Sequence, residues 1–191
     1  MLVIEYLLLS SCRQPLQAMN LLNVEIETNR LLLIPIGLEY KEDIFSEFTE
    51  QITTYMYPRP AKTIAETELF IKDSRKELKK GINLQLVILE KDFEEFLGCA
   101  GLHDIDKEPQ LGIWLKKSAH GNRYGLEAIT AIKEWADENL DYEYLIYPVD
   151  QENIASRKIP ESLGGKIVRE YEKLNLSGNI LNIVEYRIYK N

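Results

Sequence analysis

Three observations predict an α/β fold, a single mixed sheet with helices on both of its faces. Apolar, β-prone runs alternate with helical stretches in the order β-α-α-β-β-β-α-β-α-β-β. Two of those runs, residues 110–116 and 144–149, are separated by one amphipathic helix, the pattern of a parallel pair with a right-handed crossover. Between the first run and that helix lies a short glycine loop, HGNRYGLEA at 120–128. A strand, a glycine loop and a helix in that order place a helix N-terminus at the sheet edge.

Each element has a local signal. Residues 30–36 (RLLLIPI) read as a strand, and Pro35 ends it or confines it to an edge. Ile44, Phe45, Phe48 and Ile52 recur at helical spacing, and 55–60 (YMYPRP) form a loop. Thr63 is placed to cap a helix that runs to about Lys80 and closes at Gly81. Residues 84–90 and 93–105 are the next strands, with Gly98 and Gly101 weakening the second or marking a bulge. After the strand at 110–116, Leu126, Ile129, Ile132, Trp135 and Ala136 form the apolar stripe of a helix ending near Asn139. The strand at 144–149 leads to a helix that starts near Asn153 and stops at Gly164-Gly165. Strands at 166–173 and 181–189 finish the chain, with Ser177-Gly178-Asn179 as a turn. Repeats, low-complexity segments and linkers are absent from the sequence. Residues 26–191 are therefore expected to be one domain, preceded by an extension (1–25) that is an extra strand or a loose segment.

Composition narrows the function. The chain has 191 residues, 45% hydrophobic and 28% charged, with a net charge of −8. General nucleic-acid binding needs a basic footprint that this chain lacks. An acidic surface favours a cationic acceptor such as an amine. Cys12 and Cys99 lie far apart, and Cys99 sits in a predicted strand as a small hydrophobe. His103 and His120 are the only histidines, so neither a metal site nor a disulfide is expected. Residues 2–9 are mostly apolar and end at Ser10-Ser11-Cys12, like a lipoprotein cleavage site. Glu5 stands where a basic region belongs, and the run is too short to span a bilayer. A cytoplasmic location with no membrane partner is the expectation.

The glycine loop carries the chemistry. A helix N-terminus presents unpaired N–H groups and a positive dipole end, and Gly121 and Gly125 let an anion approach closely. A pyrophosphate fits that description. A Walker A loop is excluded because no Gly-Lys-Ser/Thr follows, and the Gly-x-Gly-x-x-Gly dinucleotide fingerprint is missing. The lack of a Mg-binding motif also sets aside a nucleotide-binding α/β protein. A second segment, DQENIASR at 150–157, offers Asn153 as an N-cap with Ser156 at N3, and Leu163-Gly164-Gly165 ends that helix.

Together, HGNRYGLEA, the long amphipathic helix, the strand, N-x-x-S-R and the terminal L-G-G resemble the GCN5-related (GNAT) N-acetyltransferases. The likeness spans residues 26 to 190 and is greatest to the branch that acetylates ribosomal-protein N-termini. It implies a GNAT-like fold, a central twisted and mostly antiparallel sheet with one splayed parallel strand pair. It also implies acetyl-CoA as co-substrate, with its pyrophosphate against His120, Gly121, Asn122, Arg123, Tyr124 and Gly125. The family pattern is Gln/Arg-x-x-Gly-x-Gly/Ala. Gly125 fits it, whereas His120 and Arg123 replace the usual Gln or Arg and the middle Gly. Arg123 either adds a cation beside the phosphates, with φ negative, or obstructs the loop if φ must be positive. The first is the preferred expectation. The pantetheine arm would pair with backbone groups of Ile113, Trp114 and Leu115, leaving the Trp114 ring free to pack in the core. Asn153 and Ser156 complete the implied cofactor site.

The implied function is acetyl-CoA-dependent N-acetyl transfer to a primary amine, a protein N-terminus or a small molecule, by direct attack on the thioester. The alternative is a non-catalytic acyl-CoA-binding or regulatory module on the same fold. Transfer needs a neutral amine, hydrogen-bond donors for the oxyanion and a proton donor for the leaving thiolate. The tyrosine that often donates that proton is replaced by Pro160, which should also bend its helix. Ser156 is the nearest substitute. Gln110 stands where a basic glutamate is common and cannot take a proton at neutral pH. His103, Asp104 and Asp150 are the remaining candidate bases, and a water chain is a further route. Glu127 is expected to complement the helix dipole. Acceptor choice falls to residues 41–80 and the last hairpin, and homodimerisation is left open.

Overall fold

The computed structural model describes residues 19–190. The lipoprotein-like run with Cys12 lies outside them. The strands are β1 (Ile26–Glu27), β2 (Leu31–Pro35), β3 (Leu84–Glu90), β4 (Phe96–His103), β5 (Gln110–Leu115), β6 (Tyr144–Asp150), β7 (Lys166–Leu174) and β8 (Ile180–Tyr189). The α-helices are α1 (Lys41–Glu47), α2 (Glu50–Thr53), α3 (Ile64–Lys80), α4 (Tyr124–Asn139) and α5 (Ile154–Ser162). They form one sheet in the order β1-β2-β3-β4-β5-β6-β8-β7, antiparallel everywhere except at β5–β6. Ahead of β1, a short 3-10 turn (Leu21–Asn23) puts Leu21 fully into the core, within the segment expected to be an extension.

The local signals act as their chemistry dictates. Pro35 is the last residue of β2. Thr63 accepts a hydrogen bond from the Glu66 amide, and Gly81 closes α3 at φ 71°, where a side chain would be strained. The glycines of β4 mark a bulge: Ile88 pairs with Gly98 and Leu89 with Phe96, so Leu97 is the extra residue. That strand begins at Phe96 rather than Phe93, because 91–95 form the charged turn and Phe93 projects into solvent.

Alternation along β5 shows how helices cover both faces. Trp114 packs with Phe48, just after α1, at 4.8 Å between ring centroids, and with Phe96 at 5.8 Å. Ile113 and Leu115 point the other way, toward Gly125 at the start of α4. The core runs through both layers, with Leu33, Ile71, Leu86, Ile88, Ile129 and Ile132 inaccessible to solvent.

The parallel pair is nearly absent as a ladder. Gln110 opposite Ile146 is its single rung, with the Ile146 amide donating to the Pro109 carbonyl at 2.8 Å. The Ile146 amide therefore faces β5, and residue 148, two along, faces the same way. The next rung would need an N–H there, and Pro148 has none. On its other edge β6 pairs with β8 over its whole length, from Tyr144–Tyr189 to Asp150–Ile183. Thus β6 stays in the sheet while its β5 side opens. If Pro148 ends the ladder, Pro148→Val should let the pair extend, and hydrogen exchange should find the new amide protected. A freely exchanging amide at 148 would assign the parting to another cause.

Candidate active site

A cavity of about 610 Å³ fills the opening between β5 and β6. Gln110, Ile113 and Trp114 line it from β5, and Tyr147, Val149 and Asp150 from β6. Asn153 and Ser156 at the start of α5, the end of β4 at His103, and the Tyr55–Arg59 loop also line it. Of the residues singled out in the sequence, Ile113, Trp114, His103, Asn153 and Ser156 meet on this wall. Leu115, Asp104 and the loop 120–125 are not part of it.

The helix end at α5 is built by capping. Asn153 accepts from the Ser156 amide at 3.2 Å through Oδ1, and its own amide donates to the Asp150 carbonyl at 3.0 Å. Pro160 lies in the last turn of α5, and the amides of Leu163 and Gly165 both return to its carbonyl. Asp150 accepts from the Glu152 and Asn182 amides at 2.9 Å each. Through these bonds it ties β6 to the start of α5 and to β8.

One group was missed from sequence. The Tyr147 hydroxyl lies 2.8 Å from Ser156 Oγ, and either can donate. Burial pushes the Tyr147 pKa up to about 12, partly opposed by the Ser156 hydrogen bond. The phenol is thus protonated at neutral pH. Its signal was available only as an odd-numbered residue of a buried strand, which reads as core. Burial likewise keeps His103 below the ordinary histidine value, against the opposing pull of the Asp104 and Glu77 charges. Gly112, on the neighbouring strand, lies beside its ring: a Cβ there would sit in ordinary contact, 3.4 Å from His103 Nε2. Asp104 sits at φ 52° beyond the strand, its amide donating to Asn83 Oδ1 at 2.7 Å. Burial raises the Cys99 thiol far above its usual pKa, which suits a core residue and not a nucleophile. Cys99 is free, and among the described residues no cluster could hold a metal.

The loop ahead of α4 is exposed and tightly held. His120 Nε2 bonds the Leu115 carbonyl at 3.0 Å, and a carbonyl only accepts, so that nitrogen carries the hydrogen. Asn122 bonds the Ala119 carbonyl at 3.3 Å. Arg123 adopts φ 62°, ψ 14° as the residue before α4, so the expectation of a negative φ there is corrected. The glycine usual at this position matches that left-handed conformation; Arg123 adopts it at a steric cost. Gly125 is a packing glycine: a Cβ would meet Ile159 of α5 at 3.3 Å and Ile113 of β5 at 3.7 Å. The first amide to bond back into the helix is that of Glu127, to the Arg123 carbonyl at 3.2 Å. Among the described residues, the amides of 121–126 have no protein acceptor.

Glu127 does more than complement the dipole. It accepts from Thr28 Oγ1 at 2.6 Å, from the Arg30 amide at 3.1 Å and from Arg30 Nε at 2.8 Å. Arg30 also donates to the Asn122 carbonyl at 3.1 Å and lies over the Tyr124 ring. The helix start and its loop are thereby clamped to the β1–β2 turn. Partial burial raises the Glu127 pKa, but the Thr28 and Arg30 hydrogen bonds outweigh it and hold the carboxyl below its usual value.

Comparison with known proteins agrees with this architecture. The family model described as an acetyltransferase (GNAT) domain matches residues 30–166. The chain belongs to the GNAT acetyltransferase family. It is 23% identical over 170 residues to an uncharacterized N-acetyltransferase, p20, from Bacillus licheniformis, covering 85% of this chain and 94% of that one. An acetyl transferase from Salmonella typhimurium that modifies the N-terminal serine of a 50S ribosomal subunit protein has a similar fold, with TM-score 0.77 at 14% identity. That match covers 88% of this chain and 100% of the other. A ribosomal-protein-S5-alanine acetyltransferase from Vibrio fischeri also gives TM-score 0.77, at 13% identity over 88% of this chain and 98% of its own. This GNAT chain is an acetyltransferase with a mixed sheet and one splayed parallel pair, as its sequence predicts. Among the described residues no helix is long and apolar enough to cross a membrane.

Glu127→Gln should loosen the clamp and lower Tm by on the order of 5 °C at neutral pH. Because the folded-state pKa of Glu127 is depressed, its contribution is full above the ordinary glutamate value of 4.5 and is lost as pH falls through the lower folded value. The Tm gap between wild type and variant should therefore close in acid. A gap that is constant from neutral pH to below 4 would rule the clamp out.

Proposed function

We propose that this GNAT protein transfers an acetyl group from acetyl-CoA to a primary amine, a protein N-terminus or a small molecule, by direct attack of the amine on the thioester. The observation that carries the reading is the opened β5–β6 pair with a cavity running through it. An acyl-pantetheine chain needs such an opening, flanked by strand edges with free backbone groups. The unpaired amides of 121–126 fit a pyrophosphate, and Arg123, exposed at the loop, supplies a cation to it. Ile113 offers its outward N–H and C=O to the pantetheine, whereas those of Trp114, expected to share this role, point into the β4 ladder opposite Cys99. Leu115 offers its amide alone, since its carbonyl accepts from His120. Gly121, Asn122 and Tyr124 complete the phosphate seat. Gly125 serves it indirectly, by letting α4 approach β5 and α5.

When bound, acetyl-CoA supplies an activated carbonyl with a thiolate leaving group. The chain's own groups manage the protons. His103, kept neutral by burial, takes the proton from the incoming ammonium, directly or through water. Asp104, just beyond it, steadies the resulting positive charge. Ser156 donates its hydroxyl hydrogen toward the departing sulfur and takes one from the Tyr147 hydroxyl at 2.8 Å, which regains its proton from water in the cavity. Asn153 fixes the helix end that carries Ser156. Backbone amides of β5 orient the carbonyl and stabilise its developing charge. Pro160 does not disable this scheme, because the hydroxyl pair reaches the cavity from β6 and the first turn of α5.

Thiol release from acetyl-CoA across a panel of amines and peptides tests the reading. Turnover is expected on at least one acceptor, whereas CoA binding without turnover on any would return the chain to the binding-module alternative. Ser156→Ala should lower kcat by on the order of a hundredfold with little change in CoA Kd. An unchanged kcat would remove it as the acid. Since the His103 pKa is depressed, kcat/KM should hold below pH 6.5 and fall only in more acid solution, a limb that His103→Gln should abolish. Asn153→Ala should weaken CoA binding; unaltered affinity would move the cofactor elsewhere.

A further inference from the structure

Next to the cavity lies a second, polar groove of about 500 Å³, lined by Arg169, Lys173, Glu185 and Arg187 from the β7–β8 hairpin. It shares Gln110, Tyr171 and Lys173 with the cavity, so the two are continuous. Register places Arg187 in one cross-strand row with Ile146 and Gln110, the rung at which β5 and β6 begin to part. Arg187 therefore stands at the base of the opening.

The cations of this groove are not equivalent. Arg169 is satisfied by Glu185 at 2.9 Å, and Lys173 lies over the Tyr57 ring. The Arg187 guanidinium carbon lies 3.9 Å from the Tyr144 ring centroid, a contact that satisfies none of its N–H groups. Its Nε is buried with no hydrogen-bond partner, and among the described residues no carboxylate pairs with Arg187. A desolvated donor left unmet carries a cost that an incoming oxygen acceptor removes. Among the described residues Arg75 and Arg123 also lack a carboxylate partner, but Arg75 donates to the Ile36 carbonyl and Arg123 is exposed on its loop, whereas the Arg187 Nε is buried and unmet.

We propose that Arg187 forms a subsite for a carboxylate borne by the acceptor, so that the preferred acceptor is a primary amine that also carries an acid, in first place an acidic peptide N-terminus. This deepens the acetyl-transfer reading and rests on the same cavity. A planar guanidinium pairs with a carboxylate through two parallel hydrogen bonds, which sets direction as well as affinity. Held there, the acceptor would have its amine facing the opening between β5 and β6. The acidic surface would then act against loosely bound anions, and only a carboxylate that reaches the groove would gain from it.

Binding to the CoA-loaded protein tests the subsite without requiring turnover. Peptides with a free N-terminus and an amidated C-terminus, carrying Asp or Glu at the second, third or fourth position, are compared with their Asn and Gln isosteres. Free amino acids against their amides form a second arm, which separates a side-chain carboxylate from an α-carboxylate. Wild type should bind the acidic member of at least one pair about tenfold tighter, with the difference shrinking as salt rises. Arg187→Gln should abolish that preference, and Arg187→Lys should retain part of it. Equal affinity for acid and isostere in folded wild type would overturn the proposal, as would a preference that survives in Arg187→Gln. CoA carries no acetyl group, so no turnover occurs in this binding assay; failure of the separate thiol-release assay would count against the acetyl-transfer reading and still leave this difference measurable.

Discussion

A single missing hydrogen on residue 148 governs the architecture of the site. Backbone donors and acceptors inside a sheet must pair, and a parallel ladder continues only while both strands can supply its rungs. Gln110 and Ile146 form one rung, and Pro148 cannot form the next. The sheet is not broken by this, because β6 remains bonded to β8 along its full length. What results is a rigid sheet with an interior opening, a place where strand edges lie exposed without the instability of a free edge strand. The cavity, its β5 wall and the approach of α5 all follow from that parting.

The rest of the site is a matter of holding two helix starts against the opening. The first turn of α4 is fixed by Glu127, whose carboxylate gathers Thr28 and Arg30, and through Arg30 the Asn122 carbonyl. That network absorbs the side-chain hydrogen bonds and leaves the amides ahead of Leu126 free. At α5, Asn153 caps the helix and so fixes Ser156 within hydrogen-bond reach of Tyr147. At α5 a local cap does the positioning, and at α4 a carboxylate clamp to the distant β1–β2 turn does it, since Arg123 provides no side-chain cap. In the polar groove at the base of the opening, Arg169 is paired with Glu185 while the Arg187 Nε is left unmet.

Much of this was legible in the residues. Apolar β-prone runs placed every strand of the sheet but β1, and the glycine loop, the apolar stripe of α4 and the N-x-x-S-R segment placed both helix starts at the site. Pro148 went unread: the run 144–149 reads as an unbroken strand, although a proline inside such a run marks an unpaired edge. Arg123 was read the wrong way, since its φ of 62° is set by the turn that carries the chain from the short 3-10 stretch into α4. The glycine expected at that position was the clue. Gly125 carries a packing role that spacing could not reveal, because the side chain it makes room for, Ile159, lies 34 residues on.

By itself, the sequence determined the order of elements, the family and the position of the glycine turn ahead of α4, because these depend on periodicity, capping and motif spacing within a few residues. Tertiary structure alone decided which side chains share the cavity. Tyr147 meets Ser156, His103 is desolvated over Gly112, Asp150 accepts from backbone amides, and Arg187 lacks a partner. Those are facts of desolvation and of pairing across strands. They turn on what lies beside a residue in space, which spacing along one chain does not encode.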